Sequence, residues 1–299
     1  MTRVAVLGTG RMGGAMARRL KASGFELTLW NRTRSKAERL NVGRVADTPV
    51  DAARDADIVI SSLTGPSAVR DVHLGPNGVF REAAGKTVIE MSTAGPEIVD
   101  ELDREAQLKG VRLVEAPVVG SVPAVEKGTL LVLIGGRRED LDVVQPVLSH
   151  LGEVHYAGPM GSGSRLKLVA NSMLGIISAG AAELTAAGKA AGLEGEEVFW
   201  ILSRFAPALR LREAGFLRDQ HEPTMFAVRD LAKDLGLALD LYARAQAAAP
   251  VTSVTRDLFR ETERQFADLD ISAIVRRYAN QHGERPVPVA QSVTKGGRP

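Results

Sequence analysis

Lys167 and Asn171 stand one helical turn apart in a stretch, Arg165 to Ala191, that contains no proline and is dominated by Leu, Ile, Ala and Gly. Helical spacing places the two side chains on one face. An ammonium ion among apolar neighbours is costly unless it has a partner or a task. A dry environment also lowers a lysine pKa towards neutrality, which suits proton transfer, and an amide one turn away would hold the amine or a substrate. The competing reading is a lysine that snorkels to water from the helix end.

A second stretch binds rather than reacts. Val4-Ala5-Val6-Leu7 runs into Gly8-Thr9-Gly10-Arg11-Met12-Gly13 and then into helix-forming Ala15 to Leu20. Gly8 permits a tight strand-to-helix turn, Gly10 lets a pyrophosphate approach the backbone, and Gly13 lets the helix lie close to the sheet. Arg11 and Met12 open that helix, whose free N–H groups and positive dipole end favour phosphate. The pattern predicts a dinucleotide site.

The residues after the second strand select the dinucleotide. NAD binders usually carry Asp or Glu there, to accept from the ribose hydroxyls. This chain has Asn31-Arg32-Thr33-Arg34 after Leu27 to Trp30. A carboxylate would repel a 2′-phosphate, whereas a guanidinium binds it and Asn and Thr can donate to it. The expected cofactor is NADP(H); the alternative is a loop of solvated charges.

These groups need a sheet to hold them. Apolar runs at Asp57 to Leu63, Lys86 to Met91, Val111 to Glu115, Leu130 to Ile134 and Val154 to Tyr156 supply its strands. Leu63 and Thr64, just past one strand, are expected at the cofactor ribose. Thr93, past the next, is expected at the nicotinamide end or as a helix N-cap. The fold class is therefore α/β. It combines an N-terminal doubly wound Rossmann-type domain over residues 1–163 with an all-α domain over 164–282 and a flexible tail over 283–299. A long helix of about seven turns, at roughly 3.6 residues each, joins the halves. It reads as buried on all sides and as part of a subunit interface, so a homodimer or homotetramer is expected. Its charged and polar residues argue against a membrane span.

With 38 basic and 36 acidic side chains among 299 residues, the formal charge is only +2, which makes no case for nucleic acid or membrane binding. The chain has no cysteine, which removes disulfides, thiolate catalysis and cysteine-based metal sites; no metal is expected. Met1-Thr2-Arg3 runs straight into the first strand, and a cytoplasmic protein is expected.

Four separated motifs give the chain a resemblance over residues 3–280. They are the Gly8 to Gly13 turn, Glu115-Ala116-Pro117-Val118-Val119-Gly120-Ser121 with Gly128-Thr129-Leu130, Gly161 to Asn171, and Lys233-Asp234-Leu235. In order and spacing they resemble the β-hydroxyacid dehydrogenases, a family that includes 3-hydroxyisobutyrate dehydrogenase, tartronate semialdehyde reductase and the glyoxylate/succinic semialdehyde reductases. The resemblance implies Lys167 as catalytic acid/base and Asn171 as its assistant. It implies a substrate carboxylate held at Val119-Gly120-Ser121, chiefly by Gly120 and Ser121, and Lys233 over the nicotinamide and substrate pocket. The 3-hydroxyisobutyrate enzymes typically read Ser-Gly-Gly where this chain reads Val119-Gly120-Ser121, which points to the glyoxylate/succinic semialdehyde branch. Relatives in the imine reductases generally lack the lysine. The alternative of another class is a non-catalytic NADP-binding module.

Overall fold

The computed structural model describes residues 2–279; the expected tail over 283–299 lies outside them. Nine strands form one sheet: β1 (Arg3–Leu7), β2 (Glu26–Trp30), β3 (Arg44–Val45), β4 (Ile58–Ser61), β5 (Thr87–Glu90), β6 (Arg112–Glu115), β7 (Val118–Val119), β8 (Leu130–Gly135) and β9 (Gly152–Gly158). Their order is β3-β2-β1-β4-β5-β6-β8-β7, with β9 added on β8. From β3 to β6 every pairing is parallel. β8 then runs antiparallel to β6 and β7, and β9 returns parallel to β8.

Alternate residues of each strand serve opposite faces. Val4 and Val6 enter one apolar core with Leu29, Ile60 and Ile89, while Ala5 and Leu7 enter the other with Val59 and Val88. Both faces are covered, as a parallel sheet requires, and this is why the strands read as unbroken apolar runs. The two-residue strands β3 and β7 are too short to leave a period in the sequence.

After β9 the chain is helical. A spine helix of 29 residues, Ser162–Ala190, is followed by Gly195–Phe205, Val228–Arg244, Pro250–Phe266 and shorter turns around a third core that includes Phe199, Phe216, Leu231 and Phe259. The sequence expectation for the spine holds on one side only. Lys167, Leu168, Asn171, Gly175, Ala179 and Ala182 are buried, but Leu166, Val169, Met173 and Leu184 are exposed on this single chain. The sequence composition alone shows no sides; only packing does. By length and composition the helix could cross a membrane, yet half of its most apolar window is buried inside the fold.

A buried carboxylate fixes where the spine begins. Glu115, at the end of β6, accepts from Gly163 N at 2.9 Å, Ser164 N at 3.0 Å and the Ser164 hydroxyl. It thereby satisfies N–H groups that a helix start leaves open and places a negative charge at the positive dipole end. Burial pushes the Glu115 carboxyl above its usual range, and the bonds from Ser164 and Gly163 oppose that shift. Changing Glu115→Ala is expected to lower the unfolding free energy by about 2–4 kcal/mol, from the lost charge-assisted bonds and the orphaned donors. Urea unfolding followed by circular dichroism checks this; a midpoint equal to wild type would contradict it.

Candidate active site

The strand order reverses between β1 and β4, and their carboxyl ends open a crevice there. The glycines of the turn fit a dinucleotide. At Gly8, with φ +90°, a Cβ would overlap the Ser62 carbonyl, and at Gly13 it would overlap the Gly8 carbonyl. A Cβ at Gly10 would meet nothing within 4 Å. The chain is thus closed where helix and sheet must touch and open where a pyrophosphate must approach. The following helix, Arg11–Ala22, has no side-chain cap and no acidic residue in its first turn, which leaves its N–H groups for an anion.

A cavity of about 660 Å³ continues from this turn to the spine helix. It brings together Gly10, Arg11, Met12, Gly13, Leu63, Thr64, Thr93, Gly120, Ser121, Lys167, Asn171 and Lys233, all singled out from sequence. Gly8 lies beneath it as a turn residue. Asn31, Arg32 and Thr33 do not line it. Asn31 is turned inward: its Oδ1 accepts from Thr9 N at 2.9 Å and its Nδ2 donates to the Thr33 carbonyl at 3.0 Å. Its Oδ1 and one N–H of its Nδ2 thus shape the loop, and the second Nδ2 N–H has no partner among the described residues. Arg34 pairs with Glu38 and Asp47. Exposed Arg32 is left as the guanidinium of this loop without an ion pair among the described residues. Thr93 caps no helix: Gly95 occupies that N-cap position before Pro96–Leu108.

Lys167 does not snorkel; it is 8% exposed. Its Nζ donates to Asn171 Oδ1 at 2.9 Å, and Asn171 Nδ2 donates to Asp234 Oδ2 at 2.6 Å. Asp234 Oδ1 faces Lys233 Nζ at 2.6 Å, and Lys233 also donates to the Thr93 carbonyl at 2.6 Å. One line of hydrogen bonds, joined by the Lys233–Asp234 ion pair, thus runs from the spine helix through helix Val228–Arg244 to the loop after β5. Burial lowers the Lys167 pKa to about 8; the Asp234 carboxylate resists this and the Lys233 charge adds to it. Burial likewise pushes the Asp234 carboxyl upward against the pull of Lys233. An amine near pH 8, dry and held at a fixed angle, can both give and take a proton under ordinary conditions.

Sequence reasoning did not assign Asp234, although it lies inside a quoted motif. Its signal is a carboxylate in a helix whose buried side is otherwise Val228, Leu231, Ala232, Leu235 and Ala238. It also did not assign Ser92, whose hydroxyl accepts from Leu63 N at 2.8 Å and so sets the β4 loop against β5. Arg11 reaches across the cleft to Asp230 at 3.2 Å. Phe226 packs on the third core and also lines the cavity.

Comparison with known proteins agrees with this geometry. Residues 3–161 match the NAD binding domain of 6-phosphogluconate dehydrogenase, and residues 161–278 match the family described as NAD-binding of NADP-dependent 3-hydroxyisobutyrate dehydrogenase. The chain is similar to 3-hydroxyisobutyrate dehydrogenase of Pseudomonas aeruginosa, 32% identical over 93% of this chain and 99% of that one. It is also similar to glyoxylate/succinic semialdehyde reductase 1 of Arabidopsis thaliana, 30% identical over 91% and 96%. The solved structure of Mycobacterium tuberculosis 3-hydroxyisobutyrate dehydrogenase with L-serine superposes with a TM-score of 0.83, at 26% identity over 93% and 99%. Fold and site together define an NAD(P)-dependent oxidoreductase. The chain belongs to the β-hydroxyacid dehydrogenase family.

Proposed function

We propose that this protein reduces a small carboxylate-bearing aldehyde with NADPH, and oxidises the matching hydroxy acid in reverse, after the manner of a glyoxylate/succinic semialdehyde reductase. The observation that carries the reading is the buried Lys167 amine, held by Asn171 in a cavity that also contains the glycine turn and Gly120-Ser121. Gly8, Gly10, Arg11, Met12 and Gly13 would hold the pyrophosphate, Leu63, Thr64 and Thr93 the nicotinamide half, and Arg32 the 2′-phosphate. When bound, the reduced nicotinamide supplies the hydride. Lys167 gives its proton to the carbonyl oxygen as the alcohol forms, and takes one from the hydroxyl in the reverse direction. Asn171 fixes the amine's direction, and Asp234 fixes Asn171. The N–H groups of Gly120 and Ser121 and the Ser121 hydroxyl hold the substrate carboxylate, which orients the carbonyl for hydride transfer.

Val119 stands where a serine hydroxyl would favour 3-hydroxyisobutyrate, which supports the glyoxylate/succinic semialdehyde branch over 3-hydroxyisobutyrate. Exposed Leu166, Val169 and Leu184 on the spine, which do not line the cavity, support a homodimer or homotetramer. The cysteine-free chain supports a reducing, cytoplasmic setting.

The test is consumption of NADPH and of NADH, followed by absorbance, with glyoxylate, succinic semialdehyde, tartronate semialdehyde and methylmalonate semialdehyde. Glyoxylate or succinic semialdehyde with NADPH is expected to give the highest kcat/KM. NADPH bound stoichiometrically but oxidised by none of them would overturn the reading. Changing Arg32→Ala is expected to raise KM for NADPH about tenfold, the worth of one charge-assisted contact, and to leave KM for NADH unchanged. Equal effects on both cofactors would remove Arg32 from the 2′-phosphate.

A further inference from the structure

Arg212 ends the short turn of helix Pro207–Arg212 and lines the cavity beside Leu211, Met225 and Phe226. Its side chain is only 7% exposed. Its Nε donates to Asp270 Oδ1 at 2.8 Å. Asp270 is held in turn: Met225 N and Phe226 N donate to its Oδ2 at 3.1 and 3.0 Å, and Ser272 N to its Oδ1 at 3.1 Å. The pair therefore aims the guanidinium and fixes the cavity-lining loop together. A guanidinium carries five N–H donors, and Nε accounts for one. The terminal nitrogens have no protein partner among the described residues. Holding Asp270 needs a single donor, so the rest of a rigid, buried fork stands over in the cavity wall. That fork matches a carboxylate bidentately.

The charge balance of the cavity agrees. Arg11 is paired with Asp230 and Lys233 with Asp234, and no other acidic side chain lines the space. Lys127 and Lys167 have no acidic ion-pair partner among the described residues, and Arg212 is paired through Nε alone with Asp270, which does not line the cavity. One of these, Lys167, sits at the reacting centre, and a carboxylate at Gly120-Ser121 uses backbone N–H groups and a hydroxyl rather than a cation. A charged group near Arg212 is therefore not already claimed by the substrate's first carboxylate.

We propose that Arg212 binds a second carboxylate on the substrate, so that the site prefers hydroxy and oxo dicarboxylic acids to their monocarboxylic counterparts. The proposal rests on the reading that Gly120 and Ser121 hold the first carboxylate. The test is calorimetric binding of 3-hydroxyglutarate and of its monomethyl ester to the full chain loaded with NADP⁺. The wild-type protein is expected to bind the diacid about 10- to 100-fold more tightly than the ester, the ratio that charge-assisted contacts supply. In Arg212→Lys, which keeps one donor for Asp270 but loses the fork, the ratio is expected to fall to within about threefold. Should that variant not fold, the paired change Arg212→Gln with Asp270→Asn removes both charges and carries the same comparison. Equal wild-type affinities, binding of neither compound, or a ratio unchanged by the variant would overturn the proposal. A purely structural Arg212 would weaken both compounds equally. Turnover is read separately: tight diacid binding without NADP⁺-dependent oxidation of any hydroxy acid would refute the function proposed for Lys167 and leave the binding ratio intact.

Discussion

Lys167→Ala is expected to lower kcat for aldehyde reduction by about 10²- to 10⁴-fold, the usual worth of a positioned acid/base. The dissociation constant for NADPH is expected to stay within about threefold of wild type, because the glycine turn and the Arg11–Ala22 helix start are untouched. The loss follows from the geometry. Lys167 is the basic side chain at the spine face of the cavity, and its only hydrogen bond among the described residues is to Asn171. With the amine gone, the proton has to come from a water molecule that no side chain holds in place. Stopped-flow hydride transfer and fluorescence titration of NADPH separate the two quantities. A kcat within about threefold of wild type would take the proton role away from Lys167.

The second large effect is expected at Asp234, a positioning residue. Asparagine there still accepts from Asn171, but it removes the negative charge. That charge is what resists the burial of Lys167 and holds its pKa up at about 8. Asp234→Asn therefore lowers the Lys167 pKa further. Less of the amine is protonated at neutral and mildly alkaline pH, and reduction at pH 8 falls by about 5- to 50-fold for a pKa roughly one to two lower. Lys233 also loses its ion pair and keeps only the Thr93 carbonyl. The pH profile tells this role from a structural one. The alkaline limb of the reduction rate is expected to move to lower pH, with activity restored as the medium is acidified. A uniform loss at every pH would mean that Asp234 supports only the packing.

Much of this site is legible in the sequence, because its parts rest on local rules. The Gly8, Gly10 and Gly13 spacing dictates a turn whatever surrounds it, and the structure keeps each glycine at the place its steric role requires. Lys167 and Asn171 share a helix face by period alone. The strands carry their own apolar signal because both faces of the sheet are covered. What was not legible depends on contacts between distant segments. Asp234 meets Asn171 across 63 residues, and Glu115 reaches Ser164 across 49. Arg212 finds Asp270 across 58 residues, from a Leu-Arg-Leu-Arg run with no periodic distinction. Asn31 reads as a donor by type, while the bond its Oδ1 accepts from Thr9 N, 22 residues away, is visible only in the folded loop. The spine helix reads as apolar on every side, while packing against one domain interior leaves Val169 and Met173 outside. Burial and pairing at such positions are properties of the assembled core, and no window of sequence contains them.

The most direct test of the central claim is the pH dependence of kcat/KM for NADPH-driven reduction of succinic semialdehyde. The proton donor in that direction is protonated Lys167, whose pKa is lowered by burial to about 8. The rate is therefore predicted to be level below pH 8 and to fall about tenfold per pH unit above it, while the rate of hydroxy acid oxidation rises through the same range. A reduction rate that stays level through pH 8 and well above it, with the folded protein intact, would contradict the account.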